Sequence, residues 1–313
     1  MAHRATHRIT WKHDLQALPF ILPFLAVFLL FIGYPIFNSL MLSVHQTTIY
    51  SDFYDVFGSM RFVGADNYTM ILRDPQFWWS LVLTCAYAAL TILPGMALSL
   101  ALAIFLNRKV RGFGALRSGF FLPNVFDIYV VGVIWLLIYN PNGGLFIVLM
   151  DWLGLDGLFQ RGILSNPWLT LPAIAFAMIL KGAGFGMILF MTSLNNINSS
   201  IFEAADVDGA SYWQKLWYIT LPLLRPIILF LSITGLVGAL SSFAEIYAMT
   251  DNTGGPSLEI GGVTLQSARV SGYHLYRYFQ DSMYGEAAAM SFLLLVVATI
   301  ISVVNMKILS PKD

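Results

Sequence analysis

The sequence predicts an all-α integral membrane protein with six transmembrane helices. Its 313 residues are 58% hydrophobic and only 11% charged, and the mean hydropathy is +0.71. That balance fits a chain solvated mainly by lipid. Six apolar stretches are also long enough to cross about 30 Å of hydrocarbon at about 1.5 Å per residue. Backbone amides find no water in the bilayer core, so each crossing must be helical.

The spans fall near Leu18 to Val44, Leu81 to Leu106, Ser118 to Tyr139, Leu169 to Leu194, Leu223 to Met249 and Ala287 to Leu309. Pro23, Pro35, Pro94, Pro123, Pro172 and Pro226 lie inside them and predict kinks or ends. The apolar run of the first span exceeds the core of a signal peptide, and no small-x-small cleavage site follows it.

Lys and Arg set the orientation. With the N-terminus inside, the inner segments hold Arg4, Arg8, Lys12, Arg108, Lys109, Arg111, Arg117, Lys215, Arg225, Lys307 and Lys312. The outer ones hold Arg61, Arg73, Arg161, Arg269 and Arg277. The positive-inside rule then predicts that both termini are cytoplasmic. A net charge of +0 argues against a nucleic-acid partner, which needs a large basic face. The single cysteine, Cys85, excludes an internal disulfide and a cysteine metal site. No His-carboxylate spacing suits a metal, and no lysine follows a glycine as a P-loop requires. Neither an intrinsic membrane enzyme nor a self-contained ATPase is indicated.

Between the fourth and fifth spans, residues 195–222 form a polar insert predicted to be cytoplasmic. Ser200-Ile-Phe-Glu203 has capping-box spacing, and Gly209 supplies a helix stop. A second box at Ser211 to Gln214 starts another short helix, which Pro222 should end. Ala204, Ala205 and Ala210 keep the profile low, so another protein can approach the backbone. The plainer alternative is an amphipathic hairpin tucked against the bundle, with Glu203 only a cap.

Glu203-Ala-Ala, three residues, Gly209, nine residues, then Ile219-x-Leu221-Pro222 resembles the signature loop of permease subunits from binding-protein-dependent ABC importers. Further likeness to the carbohydrate-importer branch, which includes the maltose and glycerol-phosphate permeases, lies in Phe62-Val-Gly64, Asp66-Asn-Tyr68, Leu122-Pro-Asn124, Tyr247-Ala-Met-Thr250 and Gly254-Gly-Pro256. Asp251-Asn-Thr253 departs from that pattern as a two-residue expansion before the Gly-Gly-Pro group.

The resemblance implies the type I permease fold over residues 1–313, in the bacterial inner membrane. Residues 195–222 would be the coupling loop that enters a cleft on an ATP-hydrolysing subunit. Glu203, Ala204, Ala205, Asp208, Gly209, Ala210, Leu221 and Pro222 would form the coupling surface, with Glu203 facing a basic partner. A second permease, two ATP-binding subunits and an extracytoplasmic solute-binding protein would complete the assembly. ATP and Mg would be bound by the partner ATPase, so no cofactor is expected on this chain. The cargo would be a carbohydrate, a neutral oligosaccharide by default or an anionic sugar such as an oligouronide or a glycerol phosphate.

Candidate path residues are Lys181, Phe185, Gly235, Gly238, Ala239, Ser242 and Glu245. Lys181 sits about 19 Å from the inner end of its span. It either binds a substrate hydroxyl or carboxylate, or pairs with Asp127 or Glu245. Intramembrane charges are expected to face a cavity or a partner. Gly235, Gly238, Ala239 and Ser242 share one helical face, which either permits close helix packing or, by the resemblance, meets sugar opposite Phe185. Residues near Asn67 to Trp79 predict an interfacial helix ending in an aromatic pair. An ion-driven secondary transporter would instead need inverted repeats with interrupted helices, and a structural scaffold would not need the docking signature.

Overall fold

A computed structural model describes residues 11–48, 51, 56–107, 112–155, 157, 159 and 161–309. Arg4, Arg8, Arg108, Lys109, Arg111 and Lys312, which carry much of the charge asymmetry, lie outside the described residues.

In chain order the elements are α1 (Trp11–Phe28), a π turn (Leu29–Gly33), α2 (Tyr34–Ser43), β1 (His45–Gln46), α3 (Val56–Ser59), β2 (Arg61–Phe62) and α4 (Asp66–Arg73). The bundle continues with α5 (Pro75–Leu106), α6 (Phe113–Val125), α7 (Ile128–Ile138), α8 (Leu145–Trp152), α9 (Thr170–Asn195) and α10 (Ser199–Val207). Then come α11 (Tyr212–Gln214), a π segment (Lys215–Thr220), α12 (Leu221–Leu223), α13 (Arg225–Leu240) and α14 (Ala244–Met249). A hairpin of β3 (Ser257–Ile260) and β4 (Val263–Gln266) precedes α15 (Ser271–Gln280) and α16 (Tyr284–Leu309).

Four helices are each long and apolar enough to cross a membrane, and two bent pairs bring the total to six. These are Pro19–Ser43, Pro75–Leu106, Thr170–Asn195 and Tyr284–Lys307, with Phe113–Val125 plus Ile128–Ile138 and Tyr212–Leu223 plus Arg225–Leu240. The most apolar window of the first span is 0% buried within the chain, the pattern of a helix solvated by lipid or by another subunit.

Several expected details differ. The second span begins at Pro75, because Asp74 caps it by accepting from the Gln76 amide at 2.8 Å and proline suits the first helical turn. The predicted interfacial helix is therefore split: α4 holds Asn67, and Trp78 and Trp79 already belong to α5. Pro94 lies inside α5 without ending it. The third span is not one rod, since α6 and α7 meet at 100°. Asp127 makes that break by capping α7, its Oδ1 accepting from the Tyr129 amide at 2.9 Å. A helical lead-in, Tyr212–Leu223, precedes the fifth crossing and meets Arg225–Leu240 at 65° across Leu224. The lead-in, which passes through a π segment at Lys215–Thr220, ends at Leu223, one residue past the expected stop at Pro222. The crossing itself breaks at Ser241–Phe243, leaving α14 separate.

The chain expansion at Asp251 and Asn252 forms a left-handed turn, with φ of 49° and 59°. Its Asn252 Oδ1 accepts from Tyr273 Oη at 3.2 Å, which ties the turn to α15. The Asp66-Asn-Tyr68 group also has a physical role. The Asn67 amide donates to the carbonyls of Ser43 and His45 at 2.9 and 3.0 Å, stitching the end of the first span to α4. The central core joins α5, α9, α14 and α15 through Tyr87, Ile174, Ile246, Met249 and Tyr273, with Trp135 and Ile138 of α7 packed against it.

Candidate functional site: a docking loop and an intramembrane cavity

The Glu203 helix, α10, is built differently at its start from the predicted capping box. Asn198 caps it, its Oδ1 accepting from the Ser200 amide at 3.1 Å. Ser200 is therefore already inside the helix, and Glu203 is not used as a cap. The reason is local: an asparagine one residue before the helix offers a short acceptor side chain for the first free amides. Glu203 is exposed, and among the described residues its carboxylate has no hydrogen bond or ion pair. Ala204 and Asp208 are exposed beside it, whereas Ala205 is buried and anchors the helix.

The end of α10 matches the expected stop. Gly209 has φ +72°, and the Ala210 amide closes back on the Ala205 carbonyl at 2.9 Å, the wrapped ending that a left-handed glycine permits. Beyond it, Ser211 and Gln214 form the predicted reciprocal box, with Ser211 N donating to Gln214 Oε1 at 2.7 Å. Lys215 Nζ meets Asp206 Oδ1 at 2.6 Å and clips the two helices together. Leu221 and Pro222 are half-buried at the base. Sequence reasoning missed this clip, and it missed Val207, which is 88% exposed on the same short helix.

Inside the bundle, Phe185 and Gly235 line a common cavity of about 170 Å³ together with Thr91, Met178 and Gly182. Gly235 also packs closely, since a Cβ there would lie 2.9 Å from Ile92. Gly238 faces open space with nothing within 4 Å, while Ala239 is buried. Ser242 is buried, its Oγ donating to the Gly238 carbonyl at 3.1 Å. The four small residues thus do not act as one face: one packs, one is open, and two are enclosed.

Lys181 lies one helical turn from Phe185 and is half-buried. The expected pair with Asp127 or Glu245 does not form within the chain. Asp127 caps α7, and Glu245 is 2% exposed and accepts from Tyr87 Oη at 3.0 Å. The ammonium therefore has no partner among the described residues. Tyr87 escaped sequence analysis, although the spacing of polar residues on α5 marks it.

At the opposite end from Glu203, α15 docks onto the start of α5. Asp74 Oδ2 accepts from Tyr278 Oη at 3.1 Å and lies 3.2 Å from His274 Nε2. Burial tends to raise the Asp74 pKa, but the bonds from His274, the Gln76 amide and Tyr278 outweigh it and hold the carboxyl below 3.8. Burial lowers His274 below 6.5, against the pull of Asp74. Together these directions describe a neutral imidazole donating to a charged carboxylate.

Residues 95–312 match the family described as binding-protein-dependent transport system inner membrane component. The chain belongs to that family. It is 30% identical over 311 residues to the lactose transport system permease protein LacF of Rhizobium radiobacter, covering 96% of each chain. It is 29% identical to the trehalose/maltose transport system permease protein MalF of Thermococcus litoralis, covering 98% of each. A bacterial ABC transporter involved in the import of the acidic polysaccharide alginate superposes with a TM-score of 0.75 at 24% identity, covering 95% of this chain and 96% of that one. A second alginate transporter structure, in complex with an alginate pentasaccharide-bound periplasmic protein, gives a TM-score of 0.74 at 25% identity, covering 96% and 98%. The fold is that of ABC importer permeases, and the chain is a multi-pass permease subunit of the carbohydrate-importer kind.

Proposed function

We propose that this permease subunit imports an oligosaccharide by alternating access, driven by ATP hydrolysis on a separate subunit. Residues 195–222 are the coupling loop. Glu203, Ala204, Ala205, Asp208, Gly209 and Ala210 present its docking surface, and Leu221 and Pro222 connect it to the membrane helix. The observation that carries this reading is an exposed glutamate with no partner among the described residues, on a rigidly capped helix that also shows Val207 to solvent. A charge held this way costs little alone and gains a charge-assisted bond when a basic cleft closes on it.

No lysine follows a glycine in this chain, so ATP and Mg belong to the partner ATPase. The assembly would comprise a second permease, two ATP-binding subunits and a solute-binding protein, the last supported by the periplasmic protein in the alginate transporter complex. Both termini and the Glu203 loop are then cytoplasmic.

The path runs past Phe185 and the 170 Å³ cavity, where an aromatic face suits a sugar ring. The unpaired Lys181 favours a cargo with a carboxylate or phosphate over a neutral one, because an intramembrane cation is costly until an anion reaches it. Replacing Glu203 by Lys tests the coupling assignment. The ATPase subunits should be lost when the complex is purified in detergent, and normal recovery with normal ATP turnover would refute it.

A further inference from the structure

The helix α5 carries a polar seam in an otherwise apolar rod. Gln76, Ser80, Thr84, Tyr87, Thr91 and Ser99 recur at helical steps, with Gly95 in the remaining turn, so they share one face. The seam faces protein: all six are buried or half-buried. Towards the Glu203 end it opens on the Phe185 cavity, which Thr91 and Ser99 line. One turn from Thr91 towards the other end, Tyr87 meets Glu245, and beyond that Thr84 Oγ1 accepts from the Ser271 amide of α15 at 2.9 Å.

Glu245 belongs to α14, the detached outer piece of the fifth crossing. On its other side, α14 rests on α7 across a smooth contact. A Cβ on Gly132 would stand 2.7 Å from Ala248 Cβ and 3.6 Å from the Glu245 Cα. The broken joint at Asp127 begins α7, and the break at Ser241–Phe243 begins α14. These two short helices therefore form a unit with a joint at each entry, held to α5 at this level by a phenol–carboxylate bond at 3.0 Å. A carboxyl group 2% exposed that makes no ion pair among the described residues is an expensive way to cement helices permanently. It suits a contact that is made in one state and released in another.

We propose that Tyr87 and Glu245 are positioning residues for transport: their bond latches the α7–α14 unit against α5 one turn beyond the Phe185 cavity, and it breaks when the path opens to the extracytoplasmic side. This inference rests on the importer reading and its orientation.

The test uses the whole reconstituted complex, with wild type, Tyr87→Phe, Glu245→Met and the double variant compared. The readout is ATP turnover without solute-binding protein, alongside thermal stability. Loss of one hydrogen bond's bias on the closed state should raise cargo-free turnover about fivefold in each single variant. The double variant should rise no further than the larger single one, since both remove the same bond. A merely structural bond would lower the melting temperature and leave turnover per assembled complex unchanged, which overturns the latch. Additive increases would overturn the pairing. If the wild-type complex itself shows no stimulation by binding protein, the importer reading fails. Normal wild-type stimulation with unchanged variants sinks the latch alone.

Discussion

Gly209→Ala isolates what the turn at the end of α10 is for. The glycine sits at φ +72° and an added Cβ would meet nothing within 4 Å. No steric clash with neighbours can therefore contribute, and the whole cost is that of the left-handed backbone, about 1–2 kcal/mol for an L-residue with a side chain. That range converts to about a five- to thirtyfold loss of the native turn relative to alternatives. The docking helix and the clip from Lys215 to Asp206 both depend on the direction in which the chain leaves this turn. The affinity of the ATPase subunits should fall by a similar factor, measured by titrating purified ATPase onto the permease pair in nanodiscs. Gly209→Asn is the control, because asparagine tolerates the left-handed region far better. Equal affinities for the alanine and asparagine variants would refute the reasoning, since surface bulk rather than backbone conformation would then decide docking.

Three other predictions follow from the same geometry. Gly132→Ala should destabilise the permease by about 1–3 kcal/mol through overpacking against Ala248, whereas Gly119→Ala, with nothing within 4 Å of its Cβ, should be neutral or mildly stabilising; equal melting temperatures would contradict the close α7–α14 contact. Lys181→Met should reduce uptake of an acidic oligosaccharide about tenfold or more relative to a neutral one of equal length, the weight of a charged hydrogen bond, and equal losses for both would remove Lys181 from recognition. Acidification should loosen α15: His274 has a folded pKa below its ordinary 6.5, so the unfolded segment binds the proton first and stability falls as pH drops below about 6.5. Asp74, also depressed, adds its loss only below 3.8. The protection factors of the Ser271–Gln280 amides, exchange rates corrected for their intrinsic base-catalysed pH dependence, should fall between pH 7 and 5 in the wild type and much less in His274→Gln, and pH-independent protection in the wild type would discard the neutral-imidazole assignment.

The six crossings were legible because hydropathy integrates over some twenty residues, and lipid leaves a helix as the only economical backbone. The breaks were not. Asp127 looked like a buried charge in need of an ion pair, yet a carboxylate two residues before the Tyr129 amide is also a helix cap, and only the 100° bend shows which role it takes. Pro94, where a kink or an end was equally expected, does not end its helix: it lacks one amide bond, but α5 continues through it. At the docking loop the stop at Gly209 was readable, because positive φ has few other tenants. The start was misplaced by two residues, because Asn198 and Ser200 both cap well and the chain can use only one.

Path residues were the least legible, because a cavity is a property of neighbours. Phe185 and Gly235 converge on one cavity, but Gly238 and Ala239, three and four residues on from Gly235, are respectively open and buried. The missing signal lay on a different helix. A stripe of hydroxyl and amide side chains on α5, read at helical period instead of by hydropathy, passes through Tyr87 and gives Glu245 the partner that Lys181 was expected to be. With Glu245 bonded to a phenol and Asp127 capping α7, Lys181 has no ion-pair partner among the described residues, and under the proposed function its ammonium is free to meet an anionic cargo.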